Sequence, residues 1–123
     1  MRIRCCSLVL PADVLPSCLE KFQGRWPVDL DAEYNVLALA QRDGLWYATF
    51  EHHEREMPVS APLALFVVVE ASVSRFWNVR MRDRDVALQP VEFDDQFFAD
   101  DVQERRGDAF ERYQSMKSRL EGG

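Results

Sequence analysis

Two apolar runs joined by an Asp-Gly turn set the strongest constraint on the fold of this 123-residue chain. The runs EYNVLALAQ and LWYATFEHH are rich in strand-forming residues, and only the tripeptide Arg-Asp-Gly separates them. Asp-Gly is typical of a two-residue hairpin turn, because both residues tolerate the positive φ angles that such a turn requires. The pattern therefore predicts an antiparallel β-hairpin over residues 33–51.

Further strands are predicted on both sides of this hairpin. RIRCCSLVL, which a proline ends, predicts a first strand, and LALFVVVE is β-branched and aromatic, which predicts a central strand. In FWNVRMRDRD, Trp77, Val79 and Met81 alternate with polar residues, so one side of this strand should face the core and the other water. VALQPVEF predicts a short edge strand. Residues 54–62 predict a loop, and residues 13–22 are ambiguous between a loop and a short helical turn.

Helical spacing replaces strand alternation near the C-terminus. Phe97, Phe98 and Val102 share one face of a predicted short helix, and Asp108 with Glu111 has the spacing of a capping box that opens a second helix. The order of strands first and helices last predicts an α+β fold. We expect one domain over residues 1–123, built from a bent antiparallel sheet or small half-open barrel of about five to six strands with C-terminal helices.

Net charge and cysteine content limit the class of protein. The formal net charge of −6 disfavours nucleic acid and anionic membrane surfaces as partners and favours a basic protein. Cys5, Cys6 and Cys18 are odd in number and form no CxxC motif, so we interpret them as small buried apolar residues of a reducing compartment. No stretch reaches the roughly 20 apolar residues of a membrane span. A cytoplasmic location follows as an expectation.

The histidines are the first candidate for chemistry. His52 and His53 lie among four acidic or basic neighbours in EHHERE, and histidine with carboxylate is a common ligand set for zinc or iron. The HExxH spacing and a third histidine are missing, and adjacent residues on a strand point to opposite faces. A cysteine–histidine nucleophile pair has no local support. We therefore expect no catalytic, cofactor-binding or metal-binding residue, and a small histidine- or cysteine-dependent enzyme is the weakest alternative.

A group of arginines is the second candidate. It consists of Arg75, Arg80, Arg82 and Arg84, beside Phe76. Arginines hold phosphates and aromatic rings stack on bases, so the group has the composition of a small RNA-binding surface. Asp83, Asp85 and the negative net charge oppose that interpretation. We expect no binding of nucleic acid and predict that these arginines pair with the acidic helix.

Residues 92–104, here called the acidic segment, carry six acidic residues and no basic one. The six are Glu92, Asp94, Asp95, Asp100, Asp101 and Glu104. Helix capping by Asp94 or Asp95 and a predicted Asp101–Arg105 pair explain part of this composition. Helix stability does not explain the rest, since carboxylates at positions 100 and 104 repel each other.

An acidic surface without compensating charge is suited to the electrostatic capture of a basic protein. We therefore predict that the six acids of the acidic segment bind such a partner. Trp26, Trp46 and Tyr47 are candidate apolar anchors wherever they are exposed. A merely solvated helix start is the competing interpretation.

About ninety residues of the chain resemble a group of small bacterial immunity-like proteins that are encoded beside polymorphic toxins. The segments that carry the resemblance are EYNVLALA, LWYATFEHH, PLALFVVVEASVSRFWNVRM, PVEFDDQFFADDV and FERYQSMKSRL. The matching positions are Tyr34, Pro62, Phe66, Val67, Val68, Ser74, Trp77, residues 94–98, Glu111, Tyr113 and Lys117. Ala71 stands where the group has an acidic residue.

The resemblance implies an interaction protein without catalytic residues. Such a protein would bind a cognate toxin in the cytoplasm and neutralise it. A regulatory or structural binding module with no toxin partner is the alternative.

Overall fold

The computed structural model describes residues 1–11, 13 and 25–122, which form an antiparallel sheet followed by two helices. The strands are β1 (Arg2–Cys5), β2 (Glu33–Arg42), β3 (Leu45–Glu51), β4 (Pro58–Pro62), β5 (Phe66–Glu70), β6 (Asn78–Arg82) and β7 (Asp85–Gln89). The helices are α1 (Phe98–Gln103) and α2 (Ala109–Gly122), and short 3-10 turns span Leu63–Leu65 and Val91–Asp94. The predicted α+β class is confirmed, with seven described strands instead of five to six.

Strand β2 organises the sheet because it pairs with three other strands. Its first residues pair with β1, its last residues pair with β7, and most of its length pairs with β3. The remaining neighbours are β4 beside β3, β5 beside β1, and β6 beside β7. All pairings are antiparallel, and the sheet does not close into a barrel.

A register shift in β2 gives the sheet two apolar cores. The pairing with β3 slips between Val36 and Ala38, so four consecutive residues of this strand are buried. Val36 and Leu39 join a core with Ile3, Phe50 and other residues of the sheet. Leu37 instead joins Phe98, Val102, Ala109, Tyr113 and Met116 under the helices. The extra residue of a β-bulge thus allows one strand to pack on both sides.

Helix α2 is held to the sheet by a polar contact as well as by apolar packing. The hydroxyl of Tyr113, which is fully buried, donates a hydrogen bond to Oε2 of Glu51 at 3.0 Å. Lys117 forms an ion pair with the same carboxylate. Burial is the main cause that raises the pKa of Tyr113 well above its ordinary value, and the negative charge of Glu51 raises it further. The phenol therefore stays protonated and remains a hydrogen-bond donor.

The predicted hairpin over residues 33–51 is confirmed. Arg42 and Leu45 are the last paired residues, which leaves Asp43 and Gly44 as a two-residue turn. Both have positive φ angles, 51° and 80°, as a type I′ turn requires.

Four predictions about the other strands are wrong, and one of them is the predicted edge strand in VALQPVEF, because β7 has a neighbour on each side. Residues 58–62, predicted as loop, form β4; the prolines at its two ends are tolerated because β4 is an edge strand with β3 as its one described neighbour. Strand β5 is not central, since β1 is its one described neighbour. FWNVRMRDRD is not one strand, because the chain turns at Asp83 (φ 54°) and β7 returns between β6 and β2.

The burial predictions for β6 are also wrong in part. Val79 and Met81 are 63% and 74% exposed, because β6 lies at the margin of a sheet that stays open. Trp77 precedes β6 and is partly buried against the sheet core, as predicted. The first strand is shorter than predicted and ends at Cys5, and Cys6 is exposed. The ambiguous residues 13–22, including Cys18, lie outside the described residues apart from Asp13.

The helical prediction is correct in its main features. Phe98 and Val102 of α1 are buried as predicted, whereas Phe97 is not on that face and is 58% exposed. Asp108 directly precedes α2, where the capping spacing predicted a helix start. Neither helix in the described part of the chain is long and apolar enough to cross a membrane.

Candidate functional site

The acidic segment wraps over the helical core as a 3-10 turn followed by α1. Phe93 from the turn and Phe98 from the helix pack edge to face, with ring centroids 5.5 Å apart. Gln103 at the end of α1 donates a hydrogen bond to the carbonyl of Pro58 on β4, at 3.3 Å. These contacts fix the backbone of the segment, so its carboxylates occupy defined positions.

Glu92 lies at the start of the segment and is used inside the fold. Arg119 of α2 donates a hydrogen bond from Nη2 to its Oε1 at 2.7 Å, and the Glu92 side chain is only 11% exposed. Burial alone would raise the pKa of Glu92, but the hydrogen bond from Arg119 and the nearby positive charge of Arg112 outweigh it and lower this pKa. The same bond raises the pKa of Arg119. Glu92 therefore ties α2 to the 3-10 turn that opens the acidic segment and offers little surface to a partner.

Asp94 and Asp95 also have partners within the chain. Oδ1 of Asp94 accepts a hydrogen bond from Gln89 at 3.0 Å and lies 3.3 Å from Nε of Arg80. Oδ1 of Asp95 accepts a hydrogen bond from the backbone N–H of Phe97 at 2.9 Å. Asp95 thus stabilises the turn before α1, but the prediction that Asp94 or Asp95 caps the helix is wrong, because Phe97 is at the N-cap and no side chain caps α1. Its side chain remains exposed.

The predicted pair of Asp101 with Arg105 is wrong. Helix α1 ends at Gln103, and Arg105 follows in the left-handed region with φ 56°. Hydrogen bonds from the N–H groups of Arg105 and Arg106 to the carbonyls of Val102 and Asp101 close the helix end. The backbone reversal turns Arg105 away, and its guanidinium stacks 3.6 Å from the ring centroid of Phe110.

Asp100 and Asp101 remain without an ion pair in the described part of the chain. Glu104 is paired with Arg106, which lies just beyond the segment. Both aspartates lie in the first turn of α1, where negative charge complements the helix dipole. Among the described residues the chain therefore keeps two adjacent carboxylates that form no ion pair, and the nearby Arg106 is paired with Glu104.

An exposed aromatic ring lies beside these two carboxylates. Phe97, Asp100, Asp101, Glu104 and Arg106 line one shallow depression on the surface. Phe97 was predicted to face the sheet, and hydrophobic spacing alone could not separate it from Phe98. An apolar ring framed by carboxylates is chemically suited to the aliphatic stem and cationic head of a lysine or arginine.

The three aromatic residues predicted as anchors do not lie at the acidic segment. Trp26 and Trp46 are partly buried against the sheet core, and Tyr47 is also partly buried on β3. None of the three lines the depression beside α1. The structure thus brings Phe97 to the acidic residues in place of the predicted anchors.

The two histidines lie outside the strands, so the opposite orientation expected for neighbours on a strand does not apply to them. Strand β3 ends at Glu51, and the rings of His52 and His53 stack with centroids 4.6 Å apart. Nε2 of His53 lies 3.3 Å from Asp29 and 3.5 Å from Glu54. Within the described residues, no group of three or more potential ligands is arranged to hold a metal ion.

The cysteines of β1 and its end differ in their surroundings. Cys5 is buried, and burial raises the pKa of its thiol, which opposes formation of a nucleophilic thiolate. Cys6 is exposed, so the interpretation of every cysteine as a buried residue is wrong for Cys6.

The arginine group is divided among separate contacts. Arg80 pairs with Asp94, which fits the prediction that these arginines meet the acidic helix region. The guanidinium groups of Arg75 and Arg119 lie 4.9 Å and 5.5 Å from the ring centroid of Phe76. Phe76 therefore already stacks with cations from the same chain and is not a free platform for a base.

Comparison with known proteins found no matching family model, no matching curated protein and no matching solved structure.

Proposed function

We propose that this protein binds a basic protein partner through the acidic segment and does no chemistry itself. In keeping with its resemblance to immunity-like proteins, the partner is a cognate bacterial toxin that the protein neutralises in the cytoplasm. The observation that carries the proposal is the pair of carboxylates at Asp100 and Asp101, which have no ion pair among the described residues and lie beside the exposed ring of Phe97.

The six acids then have two kinds of role. Glu92 and Asp94 are committed to Arg119 and Arg80, so they hold the segment in place. Asp95, Asp100 and Asp101 are the carboxylates that meet the partner, together with Glu104, whose ion pair with Arg106 is exposed to solvent. A surface whose backbone is fixed before binding loses less conformational entropy on association, which favours affinity.

Charge supports the choice of a basic partner. The net charge of −6 attracts a basic protein over a distance, and the local cluster gives that attraction a direction. Phe97 supplies the apolar contact that charge alone lacks, since an interface needs a desolvated centre to dissociate slowly.

The test is affinity capture from native bacterial lysate, with captured proteins identified by mass spectrometry. The wild-type bait should capture a basic protein, and the bait with Asp100→Lys and Asp101→Lys should lose it. A control bait with Asp85→Lys and Glu121→Lys carries the same change in charge at two exposed positions without described ion pairs, and it should keep the partner. Equal capture by both variant baits would place the binding surface elsewhere.

A further inference from the structure

Three strands of the sheet have one edge without a partner strand among the described residues, and two of these edges carry protection. They are β4, β5 and β6. Strand β4 begins and ends with proline, which has no N–H to donate, and β6 carries Arg80 and Arg82. Prolines and charged side chains are the means by which proteins keep edge strands from pairing with other chains.

The edge of β5 has no proline, and its one charged residue, Glu70, stands at the end of the strand. Its sequence is FVVVE, and Val67, Val68 and Val69 are 40%, 51% and 41% exposed. Neighbouring side chains on a strand point to opposite faces, so both faces of β5 are apolar next to the free edge. A run of exposed valines on an unprotected edge is the pattern that favours addition of another strand.

We propose that β5 pairs with β5 of a second copy of this chain, in antiparallel orientation about a two-fold axis near Val68. Antiparallel pairing of a strand with itself satisfies the backbone donors and acceptors of both edges equally. The valines then lie opposite valines, which are favourable cross-strand neighbours. No other described free edge of the chain fits as well, because β4 lacks donors at its ends and β6 is charged.

The charge on β5 itself does not oppose this pairing, and the repulsion between two copies of net charge −6 is screened by salt. Glu70 is the one charged residue of β5, and it lies at the end of the strand, so the two copies of Glu70 are at opposite ends of the paired segment. Its carboxylate lies 3.8 Å from the N-terminal ammonium of Met1 and accepts a hydrogen bond from the N–H of Ser72 at 2.9 Å. These contacts offset part of the charge of Glu70 within each copy.

The geometry limits both the size and the strength of the assembly. A two-fold interface uses the same surface on both copies and closes at two chains. A pairing of five-residue strands buries less than the roughly 1,000 Å² of a stable interface, so the dimer should be weak and depend on concentration. The acidic segment is not part of this interface, so the inference stands apart from the proposed function.

Sedimentation equilibrium over a range of loading concentrations tests the proposal. The apparent mass of the wild-type protein should rise from one chain towards two, and Val67→Lys and Val68→Lys should each hold it at one chain. Val91→Lys is the matched control, because Val91 is 57% exposed and lies in the 3-10 turn outside any strand; it should dimerise as wild type does. A wild-type mass of one chain throughout, growth beyond two chains, or dimers that persist in both β5 variants would overturn the proposal.

Hydrogen exchange provides a measurement that needs no variant. Backbone amides of β5 in the wild-type protein should exchange more slowly at high than at low protein concentration, while those of β4 should not change. Equal exchange of β5 at both concentrations would also overturn the proposal.

Discussion

The guanidinium of Arg119 donates a hydrogen bond to the carboxylate of Glu92 at 2.7 Å, across 27 residues of sequence. This bond joins the last turn of α2 to the turn that opens the acidic segment. A hydrogen bond to a charged group contributes about 1.5–3 kcal/mol to stability, and the partial exposure of Arg119 reduces this contribution. Arg119→Met should therefore lower the free energy of unfolding by about 1–2 kcal/mol.

This contribution should depend on pH with a defined sign. Because the pKa of Glu92 is lowered in the folded protein, the stabilisation is present above the ordinary glutamate range and is lost as the pH falls through the folded pKa. Urea denaturation at neutral pH and at about pH 3 should show a stability difference between wild type and Arg119→Met that shrinks in acid. A difference that stays constant would mean that Arg119 acts by packing alone.

Tyr113 should make the protein sensitive to alkali. Its pKa is raised by burial and by Glu51, so its contribution is complete below pH about 10 and decreases as the pH rises, because the unfolded state then loses the proton first. Tyr113→Phe should cost about 1–2 kcal/mol at neutral pH and should flatten the alkaline decrease in the free energy of unfolding. Chemical denaturation at pH 8 and pH 11 measures both. An alkaline decrease of the same size in the variant would contradict this role of Tyr113.

Trp77 should stabilise the protein through its ring and not through its N–H group. The ring packs against the sheet core, while the buried Nε1 has no hydrogen-bond partner among the described residues. Trp77→Ala should therefore lower the free energy of unfolding by about 2–4 kcal/mol, whereas Trp77→Phe should change it by less than about 1 kcal/mol. Urea denaturation separates the two, and an alanine variant with the wild-type midpoint would show that the ring does not support the core.

Nucleic acid should bind weakly or not at all at physiological salt. Arg80 is paired with Asp94, Phe76 is stacked with two arginines of the same chain, and the net charge repels phosphate. Filter binding with single-stranded RNA measures this directly. Submicromolar affinity would instead favour the arginine group as an RNA-binding surface.

Local signals in the sequence predicted much of this fold. Some features depend only on residues that are close in sequence, and these were predicted correctly. They include the positive-φ turn at Asp43 and Gly44 and the buried face formed by Phe98 and Val102. The edge position of β5 could not be predicted from the sequence, because a run of valines occurs both in central strands and in exposed edge strands. The proline-bounded β4 was missed because proline at an edge and proline in a loop give the same signal.

The candidate site was less predictable because it depends on distant pairings. Six acids were visible in the sequence, and the arginines near Arg80 were predicted to pair with them, but Arg119 was not predicted as a partner and the individual pairs could not be assigned. Arg119 reaches Glu92 and Arg80 reaches Asp94 only after the sheet and α2 have packed. Phe97 became a candidate for the same reason, since its exposure follows from the orientation that Phe98 imposes on α1.

The proposed function requires that the charges of Asp100 and Asp101 guide a basic partner to the acidic segment. The most direct measurement is the association rate of the captured partner by surface plasmon resonance, at two salt concentrations, with circular dichroism to verify folding. The double variant Asp100→Lys, Asp101→Lys should associate more slowly than wild type, and the double variant Asp100→Asn, Asp101→Asn should show a smaller decrease in rate. Both decreases should become smaller at the higher salt concentration, because salt screens the electric field of the carboxylates. The control with Asp85→Lys and Glu121→Lys should change the rate much less. An unchanged association rate in a folded Asp100→Lys, Asp101→Lys variant would contradict the proposed function.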